Sequence, residues 1–254
     1  MMSASRSDEA AAGLDVDDCR DWRILPTGGI VHVTAHIGED ATVGEGARIG
    51  QGARVGARAI VDEGASIGPE ARVAARAIVE ERARIGPEAR VAARAIVGKG
   101  AIIGQWASIG PKARVGERAR VGRWARIGQG ARIGARAIVE ERARIGAEAL
   151  IGQWAVISPG VSIGPRARVG QGMRVDCTPF YAIGSRDLVY EVDTDQDGIP
   201  RLAIGCLYKT LDEWRESYEA DGQRHSYTAA QIAEYRAYIE CFGAVLEARK
   251  QVAR

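Results

Sequence analysis

From Ile37 to Arg174 a Val or Ile returns at every sixth position, through 23 consecutive units with no insertion. The fifth position of the unit is Ala in 21 of them, the exceptions being Val161 and Met173. The second is Gly in 17, the others being Asp62, Ala74, Glu80, Ala92, Glu140 and Ser158. Positions three, four and six mostly suit a watery surface. In extended chain alternate side chains share a face, so a position-five Ala and the following position-one Val or Ile point inward together. Gly tolerates a positive φ or the close approach of another backbone, which marks position two as the corner. Strand and corner therefore alternate every six residues. Each unit hides its apolar side only when the next unit covers it, the signature of a solenoid.

A longer period sits over the short one. The string ARAIV recurs at Ala57, Ala75 and Ala93, and IGPEARVA at Ile67 and Ile85, both at a spacing of 18 residues. Three units then make one turn. Counting a weaker unit at Val31, there are eight turns, a column about 38 Å long at roughly 4.8 Å between stacked strands.

Past the repeats the pattern changes to alternation. LVYEV at Leu188 and RLAIGCLY at Arg201, joined by DTDQDGIP, predict a β-hairpin. Two helices follow. Thr210 with Glu213 and Thr228 with Gln231 both fit a capping box, and the second opens a stripe of Ile232, Tyr235, Ile239, Phe242 and Leu246. That stripe calls for a cover, either the column or a second subunit. The expected organisation is an acidic tail and cap over 1–30, a β-solenoid over 31–180 and a hairpin with two helices over 181–254. Trp22–Ile30 is expected to shield the open end of the first coil, where an unpaired strand edge invites association.

Units such as IGPEAR at Ile67 and VGERAR at Val115 resemble the hexapeptide-repeat family. The resemblance implies a mainly β chain wound as a left-handed parallel β-helix with three units per coil. IGSRD at Ile183, IGCLYKTLDEW at Ile204 and EYRAYI at Glu234 are similar to the C-terminal tails of hexapeptide-repeat proteins of bacteriophages and prophages. That likeness leaves function open, because an acyltransferase label on such a chain rests on the shared solenoid.

Charge refines the picture. The whole chain carries a net +2 with 27% charged residues. Between Ile37 and Arg174, however, 23 Arg and Lys face 13 Asp and Glu, a balance of +10. The ends are acidic. No stretch approaches a membrane span, and the start of the sequence lacks the apolar run of a secretion signal. Cys19, Cys177, Cys206 and Cys241 lie far apart with no metal-ligand spacing. A bacterial host's reduced cytoplasm is the expected setting, with neither metal nor cofactor.

Hexapeptide acyltransferases use a His to deprotonate the acceptor, and the related carbonic anhydrases hold their metal through His residues. Here there is no His between Ile37 and Arg174, and only His32, His36 and His225 exist. The solenoid also has no loop excursion to frame a substrate. No catalytic residue is assigned. Asp193 to Gly198 matches the first half of a calcium loop, but the twelfth position is Ile204 where a Glu is needed, so an Asp-Gly turn is expected instead.

Stacking at 18 residues turns surface side chains into ladders. Arg54, Arg72, Arg90, Arg126 and Arg144 form one row, interrupted by Ser108, and Arg58, Arg76, Arg94 and Lys112 another. Like charges a strand apart need a counter-charge from the same subunit, a partner or a ligand. Glu45, Glu63, Glu81 and Glu117, with Glu70 and Glu88 closer by, are the internal candidates. Trp106 and Trp124 fall one coil apart beside the Arg row, suited to an interface or to holding a ring. Ile60, Ile78 and Ile96 form an outward apolar row, read as the contact of a homotrimer. The favoured function is a non-enzymatic oligomeric scaffold or binding protein of phage or prophage origin, with a sponge that sequesters an anionic small molecule between subunits kept as a subtype the sequence does not demand. The alternatives are an acyltransferase with an acyl thioester donor and an anion- or nucleic-acid-binding surface, helical nucleic acid being disfavoured by the modest, spread charge.

Overall fold

The computed structural model describes residues 21–176, 178–192 and 199–252. The chain divides into two compact units, the second formed by Thr178–Arg254 together with Ala167–Gly170.

The first unit is a parallel β-solenoid of about eight coils. Two-residue strands, each made of positions six and one, stack 18 residues apart into three sheets of ten, eight and eight strands, the ten including two three-residue strands at the N-terminal end. The register is direct: Arg54 pairs with Arg72, Ile78 with Ile60 and Ile96. Backbone bonds run from coil to coil, such as Arg54 N–H to Ala71 O at 2.9 Å and Gly56 N–H to Val73 O at 2.7 Å. Every Val or Ile at position one from Val43 to Val175 is buried, as is the Ala at position five. The interior is thus a column of stacked aliphatic side chains.

The corners are built differently from the expectation. At position two the φ angle is ordinary, and Gly is favoured because the next coil presses on it: a Cβ at Gly128 would lie 2.6 Å from Ala147 N. The positive φ falls at position four, for example 57° at Arg58, 59° at Arg76 and 62° at Trp106. The position-five N–H closes the turn on the position-two carbonyl, as Ala59 does to Gly56 at 3.2 Å. These are type II turns, which also explains Pro69, Pro87, Pro111, Pro159 and Pro165 at position three. At the N-terminal end Trp22–Ile24 pairs antiparallel with Ile30–His32, extending one sheet as a cap.

The second unit holds a four-stranded antiparallel sheet rather than a single hairpin: Tyr181–Ile183, Leu188–Val192, Arg201–Ile204 and Leu207–Thr210 in sequential order. The predicted strand RLAIGCLY breaks at Gly205, whose φ of 59° makes a two-residue turn with Ile204 facing Leu207. The half calcium loop, Asp193–Gly198, lies outside the described residues, as do Cys19 and Cys177. Helix α1 (Leu211–Arg224) and helix α2 (Ala229–Val252) follow. Both predicted capping boxes form: Glu213 N–H donates to Thr210 Oγ1 at 3.3 Å and Gln231 N–H to Thr228 Oγ1 at 3.2 Å, each with the reciprocal bond. The α2 stripe does not wait for the column or another subunit. Tyr235, Ile239 and Phe242 are buried with Val189, Leu202, Ile204 and Trp214 of the same unit. No helix among the described residues is long and apolar enough to cross a membrane.

Candidate functional site

The three corners between the sheets carry three rows of position-four side chains, one coil apart. Along one of them run Gly52, Glu70, Glu88, Trp106, Trp124, Arg142 and Gly160. Two residues further along the chain, on the adjoining sheet, run His36, Arg54, Arg72, Arg90, Ser108, Arg126, Arg144 and Ser162. The register pairs Arg72 with Arg90, Arg90 with Ser108, Ser108 with Arg126 and Arg126 with Arg144. Backbone bonds from Trp106 N–H to Pro87 O and from Trp124 N–H to Gln105 O, both 3.1 Å, fix the indoles on successive coils. Their rings stack with centroids 5.0 Å apart and planes within 1° of parallel.

Where the Arg row is interrupted, a cleft of 720 Å³ opens, lined by Glu88, Arg90, Trp106, Ser108, Trp124, Arg126, Arg142 and Arg144. The short Ser108 side chain leaves room that an Arg would fill, and the indoles form the wall. Trp106 and Trp124 remain 39% and 45% exposed. Both occupy the left-handed region, at φ 62° and 60°, which is costly for a bulky residue. Gly fills the same slot at Gly64, Gly100 and Gly130, so the turn itself does not call for Trp.

The cleft brings together the sequence candidates Arg90, Arg126, Arg144, Trp106 and Trp124, whereas Arg54 and Arg72 lie on the same row outside it. Among the described residues no side-chain ion pair or hydrogen bond holds any of the five row arginines. Carboxylates at the other two corners bind other cations: Asp40 pairs with Arg58 at 3.5 Å, Glu81 with Lys99 at 2.6 Å and Glu148 with Arg166 at 3.0 Å. Glu70 and Glu88, two residues before Arg72 and Arg90, offset part of the charge at that end without a salt bridge to the row, whereas Arg126 and Arg144, on neighbouring strands roughly 5 Å apart, have no carboxylate two residues before them. Arg142 was missed by the sequence reading, although its spacing of 18 from Trp124 marks it; it approaches Glu141 only to 3.7 Å. Ile60, Ile78 and Ile96 do stack on another sheet, Ile60 being 38% exposed.

None of the three His lines the cleft. His32 hydrogen-bonds to Thr34 Oγ1 at 2.8 Å and meets the edge of Trp22. His36 stands at the head of the Arg row, paired with Arg54, and His225 caps the end of α1. No group of three or more His, Cys, Asp or Glu among the described residues is placed to hold a metal ion.

The family model described as "Hexapeptide repeat of succinyl-transferase" matches residues 46–75 and 142–177. The chain thus carries the hexapeptide repeat on a parallel β-solenoid. Similar solved structures include the UDP-N-acetylglucosamine acyltransferase from Campylobacter jejuni, 17% identical over 84% of this chain and 81% of that one, with a TM-score of 0.37. A hexapeptide transferase family protein from Anaplasma phagocytophilum is 18% identical over 56% and 81%, TM-score 0.36. The UDP-N-acetylglucosamine O-acyltransferase of Moraxella catarrhalis is 16% identical over 74% and 77%, TM-score 0.33. No curated protein matches the sequence. Likeness at these levels says nothing of chemistry.

Proposed function

We propose that this chain is a non-enzymatic, self-associating β-solenoid that binds a small anionic molecule in the Trp–Arg cleft. One observation supports this above the rest: a row of exposed arginines, none held by a side-chain ion pair among the described residues, opens into a cleft walled by two stacked indoles. Guanidinium forks suit phosphate, sulfate and carboxylate, and indole faces suit rings, so a ligand carrying both features uses the whole cleft. Three copies associate through the Ile60, Ile78 and Ile96 row, and the setting is a bacterial cytoplasm under phage or prophage control, in keeping with the tail's resemblance. Isothermal titration with inorganic pyrophosphate and with phenyl phosphate tests binding. Arg126→Ala is expected to weaken it by about 1.5–3 kcal/mol, the value of a charge-assisted hydrogen bond. The absence of heat from every anion tried would sink the proposal, and native mass spectrometry showing only monomer would sink its self-association.

A second reading, an acyltransferase, draws on the family match. It predicts release of free coenzyme A from acetyl- or succinyl-coenzyme A in the presence of an amine or hydroxyl acceptor. Turnover abolished by one surface substitution would favour it over binding alone.

A further inference from the structure

We infer that the cleft is polarised and selects a single-ring aromatic phosphate or sulfate ester with a hydrogen-bond donor at its far end; this rests on the anion-binding reading above and sharpens it. Along the column the two rows change character together. At one end Arg126, Arg142 and Arg144 bring three arginines beside Trp124, of which only Arg142 has a carboxylate neighbour, Glu141 at 3.7 Å, and no carboxylate lines the cleft there. At the other end Glu88 stands two residues from Arg90, so the charges offset each other. An ester head bearing negative charge is drawn to the triple-Arg end, where planar forks donate hydrogen bonds to its oxygens in pairs. Glu88 repels that head and accepts a hydrogen bond from an N–H or O–H group instead. Between the two ends lies the space over Ser108, against the indole wall, which takes a flat ring.

Length sets the size of the ligand. Arg90 and Arg126 are two coils apart, roughly 10 Å at the stacking distance of strands. One ring with an ester head and one donor spans that distance. A long polyanion does not suit the row, because beyond the cleft the slot beside Arg72 holds Glu70 and the slot beside Arg90 holds Glu88, so a repeating chain of negative charge meets two carboxylates. Ser108 is the specificity residue: an Arg in its place restores an unbroken row and closes the ring space.

The test uses the full chain and four probes: 4-aminophenyl phosphate, phenyl phosphate, aniline and inorganic phosphate, followed by the indole N–H signals in ¹⁵N NMR. The expected order is 4-aminophenyl phosphate, then phenyl phosphate about tenfold weaker, then inorganic phosphate, with aniline not binding. Arg144→Ala should weaken both aryl phosphates about tenfold, Glu88→Ala, which removes the acceptor, should erase the difference between them, and Arg54→Ala should change nothing. Ser108→Arg should abolish ring binding while inorganic phosphate still binds. Inorganic phosphate binding as tightly as the aryl esters overturns the ring selectivity yet leaves the anion site standing. Equal losses in Arg54→Ala and Arg144→Ala overturn the polarity. Failure of all four probes overturns this inference and, if pyrophosphate also fails, the anion-binding reading with it.

Discussion

Each six-residue unit has two special backbone slots, and they place opposite demands on the side chain. At the position-two glycines the neighbouring coil crowds the place of a Cβ, as Gly134 shows with Gln153 N at 2.5 Å from where one would lie, while six units such as those of Ala74 and Ala92 accommodate one. At position four the space is open but φ is positive, a conformation that costs an L-residue about 1–2 kcal/mol. Substitutions should therefore have opposite signs in the two slots. Gly128→Ala is expected to lower stability by about 1–3 kcal/mol through overpacking against backbone. Arg76→Gly, at φ 59°, is expected to raise it by about 0.5 kcal/mol, the relief of strain being partly offset by glycine's greater freedom when unfolded. Chemical denaturation of the two variants checks both. The inward pattern was legible at this scale because Val, Ile and Ala repeat without relief. The positive φ was not placed, since Gly at position two admitted two physical explanations. The deciding signal was available in Pro at position three, which pre-sets the first central residue of a type II turn.

Secondary elements of the second unit were read well where the cue was local. Capping boxes need only two residues three apart, so both helix starts were visible, whereas the strand break at Gly205 needed the turn geometry. The α2 stripe was recognised but its cover was not, because burial against a sheet is a long-range outcome that periodicity does not encode. The Thr210 backbone N–H, and then its hydroxyl, donate to the Glu213 carboxylate and hold its pKa below the usual glutamate value. With a native pKa depressed in this way, the cap is complete above the unfolded-state pKa and is lost as pH falls through the native one. Amide exchange in the first turn of α1 should accelerate as pH falls through that acid range, beyond the intrinsic pH dependence of exchange. Glu213→Gln should remove this extra response. The buried indole of Trp214 donates from Nε1 to Leu202 O at 2.6 Å. Leu202 O keeps its place in the ladder opposite Lys209, so Trp214→Phe removes one hydrogen bond without orphaning the carbonyl and should cost about 0.5–1.5 kcal/mol, read from thermal or urea unfolding.

Over the whole molecule, the interior repeats every six residues while the exterior repeats every 18. The two can be separated by deletion. Removing Ile109–Arg114 takes out one unit whose core residues, Ile109 and Ala113, are replaced in kind by the next unit, so far-ultraviolet circular dichroism should stay that of a stacked solenoid. Trp124 then moves to a different corner from Trp106, and the cleft is lost. Titration of this variant should show no anion binding at the former site; retained binding would mean that the cleft is not where the ligand goes. The ladders were legible from the 18-residue recurrence in ARAIV. The cleft was not, because it depends on a short side chain at Ser108 and on the left-handed corners that aim the indoles.

The near-parallel packing of Trp106 on Trp124 has a spectroscopic consequence. Two identical chromophores at that separation share their excited state, so their ultraviolet absorbance and emission differ from those of the solitary Trp22 and Trp154. The pair is an intrinsic optical gauge, requiring no added dye, of whether the two neighbouring coils keep their alignment during heating or under mechanical load.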